Sequence, residues 1–376
     1  MLPIILQESD VKITEPDNGT ALCLSGGGYR AMLFHLGALW RLNELGYLPR
    51  LDRLSSVSGG TIAAAALACC WERLKFDTQG IASSFEEIVS GPICRLASRT
   101  IDVPSVLKGL LWPGSVSKHV AAAYRRHLFG NRTLQDLPDH PRFIFNATNM
   151  QSKVLWRFSK PYMGDYRVGR VFSPKLQVAT AVAASSAFPP VLSPAILQLD
   201  PEMFAPDSGE LRYPPFTSHV MLTDGGVYDN LGLETAWKRC RHILVSDGGG
   251  EAPAKPKLPA NWISQSVRVL ELVDNQVGSL RKRQVVESFK SRIRTGAYWG
   301  IRSDILNYKA PGALVCDRAE TLKIAGIPTR LSALSQEQQR RIIDWGYAVC
   351  DAAMRAHVLP AAPAPTRSPH GVFHTI

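Results

Sequence analysis

The sequence lacks any long hydrophobic segment. Its longest uninterrupted apolar run, Ile62 to Trp71, is well short of the ~20 residues that a membrane-spanning helix needs. The amino terminus has no basic stretch and no long apolar one, so we do not expect a secretory signal. Cys-x-x-Cys pairs are absent and the seven cysteines are scattered. This argues against a disulfide framework or a zinc site and predicts a cytoplasmic protein, with peripheral membrane contact as a further possibility.

Composition excludes a disordered chain and biases the choice of partner. Of 376 residues, 45% are hydrophobic and 20% are charged, which is ordinary for a globular protein. The 43 basic residues outnumber the 32 acidic ones, for a net charge of +11. Such an excess favours an anionic partner, either nucleic acid or an anionic membrane surface.

Short apolar strands alternate with helical patterns along most of the chain. Strand candidates include Thr20–Leu24, Arg142–Ala147, His219–Leu222 and His242–Ser246. Alternation of this kind predicts an α/β fold whose sheet is covered by helices on both faces.

We find no boundary between residues 18 and 358 and predict one domain, with its motifs in about 20–250 and a C-terminal helical part at 260–358. A capping box at Ser335–Gln338 predicts the start of a long helix that ends near Ala356. The Pro/Ala-rich tail, residues 359–376, is expected to be disordered.

The first of three strand-to-turn junctions is glycine-rich. Gly26, Gly27 and Gly28 follow a strand and precede a helix, and Arg30 lies just beyond. Glycines let several N–H groups point at one place, and a helix amino terminus adds positive dipole character. The junction therefore suits a phosphate or an oxyanion, although a plain tight turn would use the same residues.

The second junction, Ser56 to Gly60, resembles the G-x-S-x-G nucleophile elbow, with Ser58 as the nucleophile and Ser56 in place of the first glycine. The alternative is that Ser58 merely caps the following helix.

The third junction contains Asp224, followed by two glycines, after the strand that ends at Leu222. Asp247 occurs in a similar Asp-Gly-Gly turn and competes for the same role. None of the nine histidines lies in a glycine-flanked turn at a strand end, so a Ser–Asp pair is more economical than a Ser–His–Asp triad.

Taken in this order, the three junctions resemble the patatin-like phospholipases, a family related to cytosolic phospholipase A2. The similar stretches include Gly26–Arg30, Ser56–Gly60, Ala183–Pro190 and Asp224–Gly232, and the resemblance covers about Thr20 to Asp247. It implies a three-layer fold with a mostly parallel central sheet.

The resemblance also implies a lipid acyl hydrolase of the phospholipase A or lysophospholipase type. Ser58 would attack the ester carbonyl and form an acyl-enzyme, and Asp224 would accept the serine proton. The oxyanion hole would comprise Gly26, Gly27, Gly28 and Gly59, and Arg30 would neutralise a substrate phosphate or the oxyanion. No cofactor or metal is implied.

The implied partners are a phospholipid or lysophospholipid substrate and an anionic membrane surface. We expect no nucleic acid, since no nucleic-acid-binding motif is present, and the sequence does not indicate an oligomeric state. Two segments are candidates for membrane contact: the basic segment 279–294, for which the alternative is a solvated helix face, and the apolar segment Val106–Trp112, for which the alternative is core packing. Two alternatives remain open: an acyltransferase that uses the same dyad, and a non-catalytic anion- or nucleotide-binding protein that uses the glycine-rich loop.

Overall fold

A computed structural model describes residues 16–105, 116–206, 208–250, 254, 256–259 and 261–375. The predicted membrane segment Val106–Trp112 lies outside the described residues. The described strands form a single ten-stranded sheet, in the order β10-β9-β1-β2-β3-β4-β5-β6, with β8 joined to β3 and β7 joined to β8. In chain order the strands β1 to β10 are Asp17–Leu24, Arg53–Val57, Arg142–Asn149, Val154–Phe158, Tyr162–Asp165, Gly169–Phe172, Ala195–Gln198, His219–Asp224, Cys240–Asp247 and Thr295–Gly300.

Helices cover both faces of this sheet. Alternate residues of β1 belong to different cores: Leu22 and Leu24 to a large one, and Ala21 and Cys23 to a smaller one on the opposite face. The three-layer α/β fold predicted from the sequence is therefore confirmed. In chain order the described helices α1 to α10 are Gly28–Glu44, Ser58–Cys70, Gly91–Ala97, Val116–Tyr124, Val178–Ser185, Gly226–Asp229, Leu233–Trp237, Trp262–Lys290, Arg318–Ala325 and Gln336–His357.

The sheet is parallel from its edge strand β10 to β3 and antiparallel beyond β3. Strands β10, β9, β1, β2 and β3 are parallel neighbours, so their carboxyl ends lie at one edge. Strands β4 to β6 continue the sheet in antiparallel pairs. Because open α/β sheets place their sites at the carboxyl ends of parallel strands, the first two junctions lie where a site is expected.

Strand β8 reaches this edge from the opposite direction. Its residues 222–224 pair antiparallel with residues 147–149 of β3, just beyond the 142–146 segment that pairs with β2. Strand β4 occupies the other side of β3 at residues 145–149. Strands β2 and β8 therefore lie along the same side of β3 and end facing each other, which brings the residues after β2 close to Asp224.

Helix α10 begins as the sequence predicts and locks onto α1. Ser335 and Gln338 form the reciprocal capping box. Between the two helices, a Cβ added at Gly346 would lie 2.0 Å from the carbonyl oxygen of Phe34, and one added at Gly37 would lie 1.9 Å from that of Ile343. The backbones approach too closely for any side chain at these two positions.

The tail differs from the expectation of disorder. Asp344 of α10 is fully buried and accepts hydrogen bonds from the Ser368 hydroxyl at 2.6 Å and from the N–H of Val372 at 3.0 Å. Phe373 is buried and packs edge-on against Trp345, with ring centroids 6.3 Å apart. A buried carboxylate needs such donors, and the Pro/Ala composition of the segment gave no sign of that partner.

The α1–α10 contact predicts an unusual sign for a glycine substitution. Gly346→Ala should lower the free energy of unfolding by about 1–3 kcal/mol, since overpacking outweighs the better helix propensity of alanine. Gly278→Ala is the matched control, because Gly278 lies inside α8 with nothing within 4 Å of an added Cβ. That variant should be neutral or stabilising by up to about 1 kcal/mol. Urea unfolding of both proteins is the measurement, and equal effects would contradict the close-contact interpretation.

Candidate active site

The turn between β2 and α2 holds Ser58 in a backbone conformation that serine rarely adopts. Its φ is +51°, in the left-handed region, and its side chain is almost completely buried. The Ser58 N–H donates to the hydroxyl of Ser185 at 3.0 Å, and that hydroxyl donates to the carbonyl of Asn146 at 2.7 Å. These bonds fix the turn from the side of α5. A strained, buried serine between a strand and a helix is the arrangement of a nucleophile elbow.

Ser56 is accommodated where the family pattern has glycine. It lies within β2, fully buried, and its hydroxyl accepts a hydrogen bond from Thr61 at 3.1 Å and contacts the Ile144 carbonyl at 3.4 Å. The left-handed residue of the turn is Ser58, so nothing in the backbone requires glycine at position 56.

The glycine-rich loop packs directly on this turn. A Cβ added at Gly59 would lie 2.1 Å from the carbonyl oxygen of Gly28, and one added at Gly26 would lie 3.2 Å from Cβ of Ser58. Gly27 and Gly28 have φ values of +140° and +61°, which favour glycine. The absence of side chains at these positions lets the two turns touch through their backbones.

Three backbone donors of this contact are available. Helix α1 makes its first bond from the Ala31 N–H to the Gly27 carbonyl. No acceptor within the described ranges takes the N–H groups of Gly27, Gly28 or Gly59, as expected at helix amino termini. These three N–H groups lie around the Ser58 turn. Their arrangement is typical of an oxyanion hole, whereas a purely structural turn would not require unbonded donors here.

Gly26 requires a correction, since the sequence interpretation counted it among the donors. Its N–H donates to the carbonyl of Asn230 at 3.0 Å. What matters at Gly26 is the missing side chain, because an added Cβ would lie 2.4 Å from Oδ1 of Asn230.

Arg30 also departs from expectation. It is buried, and its guanidinium donates to the Gly248 carbonyl, to the Thr329 hydroxyl at 3.0 Å and to the carbonyl of Ile327. Burial lowers the pKa of Arg30 to about 10, although the charge of Asp247 opposes the shift. The N–H donors of the Arg30 guanidinium are thus bonded to other groups of the protein, so Arg30 does not offer a free charge to a substrate phosphate.

Asp224 lies at the end of β8 with an incompletely satisfied carboxylate. Its Oδ1 accepts the Gly226 N–H at 2.7 Å, whereas Oδ2 has no well-formed hydrogen bond to any described residue. Burial raises the pKa of Asp224 to about 7, and the Gly226 N–H and the Ser58 hydroxyl both act to lower it. The Ser58 hydroxyl is therefore close enough to act on this carboxylate. A carboxylate with a pKa near neutrality is well matched to accept a proton.

Asp247 occupies a different environment. It accepts the Tyr298 hydroxyl at 2.7 Å, the Gly249 N–H at 2.9 Å and an ion pair from Lys282 at 2.8 Å. Burial raises the pKa of Asp247, but Lys282 and these hydrogen bonds outweigh it, so the pKa lies below the usual value. The fully satisfied carboxylate stabilises the segment that follows β9.

His35 supports the glycine-rich loop from beneath. Its Nε2 donates to the Ser25 carbonyl at 2.9 Å, and its Nδ1 lies 2.8 Å from the hydroxyl of Ser246. Burial lowers the pKa of His35 to about 4, so the ring is neutral. Sequence reasoning did not select His35, Ser185 or Asn230. Ser185 and Asn230 lie in stretches that resemble the family, but their spacing gave no reason to choose them.

No group of three or more potential metal ligands occurs among the described residues. Within the same residues, no helix combines the length and the apolar composition needed to cross a membrane.

A family model described as patatin-like phospholipase matches residues 22–237. Comparison with curated proteins gives no match. Human GIVD cytosolic phospholipase A2 is similar over 93% of this chain and 63% of its own length, with 13% identity and a TM-score of 0.47. VipD from Legionella pneumophila is similar over 89% of this chain and 66% of its own length, with 14% identity and a TM-score of 0.34. The type III effector ExoU of Pseudomonas aeruginosa is similar over 91% and 54%, with 14% identity and a TM-score of 0.35. The chain thus spans less than two thirds of each of these structures.

The opposite environments of the two aspartates predict opposite effects on stability. The native state holds the Asp224 proton more tightly than the unfolded chain, so ionisation of Asp224 removes stability as pH rises from about 4 to 7. Asp224→Asn should therefore raise the melting temperature relative to the unsubstituted protein at pH 8, by about 2 °C or more, and change it less at pH 5.

Asp247→Asn is the matched control. The pKa of Asp247 is lower in the folded protein than in the unfolded chain, so its ionised form stabilises the fold. This stabilisation is complete at pH values above the pKa of the unfolded chain and is lost as the pH falls through the pKa of the folded protein. This variant should be destabilised to a similar extent at pH 5 and pH 8. Calorimetry at both pH values tests the pair, and a loss of stability in Asp224→Asn at pH 8 would contradict the assignment.

Proposed function

Because the chain belongs to the patatin-like phospholipase family, we propose that it is a lipid acyl hydrolase that cleaves carboxylic esters with a Ser58–Asp224 dyad. The observation that carries the proposal is the buried, under-bonded carboxylate of Asp224 beside a strained Ser58. Family membership supports the reaction class, and the geometry supports the choice of residues.

The chemistry follows from the positions of these groups. Asp224 accepts the Ser58 proton as the hydroxyl oxygen attacks the ester carbonyl, and the N–H groups of Gly27, Gly28 and Gly59 stabilise the negative charge that forms on the carbonyl oxygen. The alcohol leaves with a proton returned from Asp224. Water, activated by the same carboxylate, then hydrolyses the acyl-enzyme.

The non-catalytic alternative is less well supported. A phosphate-binding loop would use the charge of Arg30, and that guanidinium is bonded to Gly248, Ile327 and Thr329. The acyltransferase alternative uses the same dyad and differs only in the group that accepts the acyl chain.

Ser58→Ala and Asp224→Asn test the dyad. A fluorophosphonate probe should label the unsubstituted protein and leave Ser58→Ala unlabelled. With short-chain ester and phospholipid substrates, Asp224→Asn should lose at least ~100-fold in kcat, because a positioned base contributes that much. Asp247→Asn is the control and should retain most of its activity after correction for its stability. An inactive, folded Asp247→Asn beside an active Asp224→Asn would overturn the assignment, and product analysis with added alcohol separates hydrolysis from acyl transfer.

The proposal includes an anionic membrane surface as the place where the enzyme meets its substrate. Along α8, Trp262, Val269, Val273 and Leu280 share one face and are between 55% and 77% exposed. Arg283 and Lys290 flank this face near its carboxyl end and are exposed, with the exposed Glu287 between them. An apolar stripe that leads into basic side chains suits the boundary between lipid acyl chains and anionic headgroups.

The opposite face of α8 holds the helix beside the site. Val285 is fully buried, and Lys282 pairs with Asp247. The basic segment 279–294 thus contains both an anchored and an exposed face, and the exposed face supports the membrane proposal.

Vesicle binding tests this surface independently of catalysis. In a Ser58→Ala background, the protein should bind phosphatidylglycerol vesicles more tightly than phosphatidylcholine vesicles at low salt. Adding Arg283→Glu and Lys290→Glu should weaken binding to the anionic vesicles by at least about tenfold, since each basic side chain contributes ~1 kcal/mol. Arg241→Glu with Arg340→Glu gives the same change in net charge on other exposed positions and should have a smaller effect. Equal losses of vesicle binding in the two double variants would show that net charge alone, and not this face of α8, determines the binding.

A further inference from the structure

We propose that a basic cavity between helix α4 and the segment 99–105 binds the phosphate of a phospholipid headgroup, a role that Arg30 does not fill. The cavity has a volume of about 810 Å³, and its lining includes Arg99, His119, Arg125, Arg126 and His127. The inference rests on the proposed lipid acyl hydrolase function and names the substrate group that the site recognises.

The cavity is lined by basic side chains in excess. None of its described lining residues is an aspartate or glutamate. The guanidinium groups of Arg99, Arg125 and Arg126 have no ion pair or hydrogen bond with any residue in the described part of the chain. Desolvation together with the charges of Arg99 and Arg126 lowers the pKa of His127, so both arginines act on this part of the cavity wall. Guanidinium groups that line one cavity without acidic partners among the described residues suit a phosphate, whose oxygens accept paired N–H bonds.

One wall of the cavity leads to the nucleophile. Ala123 and Arg125 line it, and Tyr124 between them is buried, with its hydroxyl 3.3 Å from that of Ser186. The neighbouring Ser185 accepts the hydrogen bond from the Ser58 N–H. Burial raises the pKa of Tyr124, and the charge of Asp224 adds to the shift. This wall is thus linked to both members of the proposed dyad.

The opposite wall leads to the oxyanion loop. Ile101 lines the cavity, and its N–H donates to the carbonyl of Leu331 at 2.8 Å. The carbonyl of the preceding residue, Arg330, accepts the N–H of Tyr29 at 3.0 Å, directly beside Gly28. The cavity is therefore lined by two segments whose neighbouring residues contact the proposed site: Tyr124 through Ser186, and Ile101 through the segment 330–331.

A second, smaller cavity of about 330 Å³ shares Ala122 and Arg125 with the first. Alanine and aliphatic side chains form much of its wall, among them Ala184 and Leu197. Its lining also includes polar side chains, such as Lys118 and Gln177. The two neighbouring cavities therefore offer both charge and apolar surface, which fits an amphipathic ligand better than a free phosphate ion. Residues 106–115, which connect Ser105 with Val116 along the chain, lie outside the described residues and are not part of the proposed site.

Binding by Ser58→Ala protein separates this inference from the proposed reaction. The probes are dihexanoylphosphatidylglycerol below its micelle concentration, dihexanoylglycerol as its phosphate-free counterpart, and inorganic phosphate, each measured by calorimetry. Arg125→Gln with Arg126→Gln should weaken binding of the phospholipid by at least about tenfold and should reduce its preference over dihexanoylglycerol by a similar factor. Arg241→Gln with Arg340→Gln removes the same charge elsewhere and should leave that preference unchanged. All four positions are exposed, so the variants should keep their melting temperatures.

The outcomes are distinguishable. Unchanged phospholipid binding in the Arg125/Arg126 variant overturns the inference even if the enzyme hydrolyses esters. Inorganic phosphate that binds as tightly as the phospholipid, through the same arginines, shows a site for free phosphate and overturns the headgroup assignment. Absence of Ser58-dependent ester cleavage in the unsubstituted protein defeats the proposed function, while an arginine-dependent preference for the phospholipid still supports a lipid-phosphate site.

Discussion

The site depends on one contact between two backbones, where the turn that carries Ser58 packs on the glycine-rich loop. The space at Gly59 is closed by the carbonyl of Gly28, so a methyl group at position 59 would have to move the loop. The contact holds three N–H groups around one turn that have no acceptor in the part of the chain that the structure describes, because both segments are helix amino termini whose first donors have no partner within the helix. Hydrogen bonds from the outside hold the arrangement: Ser185 on the serine turn, and Asn230 and His35 on the loop.

Burial of Asp224 is the second constraint, and it acts against stability. A carboxylate with one oxygen lacking a well-formed bond costs free energy when it is ionised in a protein interior. Asp247 lies in the same sheet, equally buried, but has Lys282, Tyr298 and Gly249 as partners. Since the two residues occur in the same type of Asp-Gly-Gly turn, the opposite shifts of their pKa values arise from what the rest of the chain supplies around each one.

Local signals in the sequence predicted the three turns, the α/β class and the capping box of α10, because glycine, serine and apolar periodicity act over a few residues. They could not predict how Ser58 and Asp224 meet. The two residues meet because β8 runs antiparallel to β3 and ends against β2, a pairing between strands that are distant in the sequence. The orientation of the Arg30 side chain depends on its bonds to the distant residues Gly248 and Ile327. Likewise, the N–H of Gly26 is occupied by the carbonyl of the distant Asn230. The tail was misjudged for the same reason, since its partner Asp344 is buried in a helix.

Arg30 connects the matched region to the remainder of the chain. The family model ends at residue 237, yet Arg30 binds Gly248, Ile327 and Thr329, which all lie beyond it. These bonds hold the 327–330 segment against the start of α1, where the Arg330 carbonyl takes the Tyr29 N–H. That donor is thereby removed from the helix amino terminus, whereas those of Gly27 and Gly28 stay available. The C-terminal part of the chain thus determines which backbone N–H groups of the loop keep no acceptor among the described residues, and it does so through an arginine whose own donors are bonded to the protein.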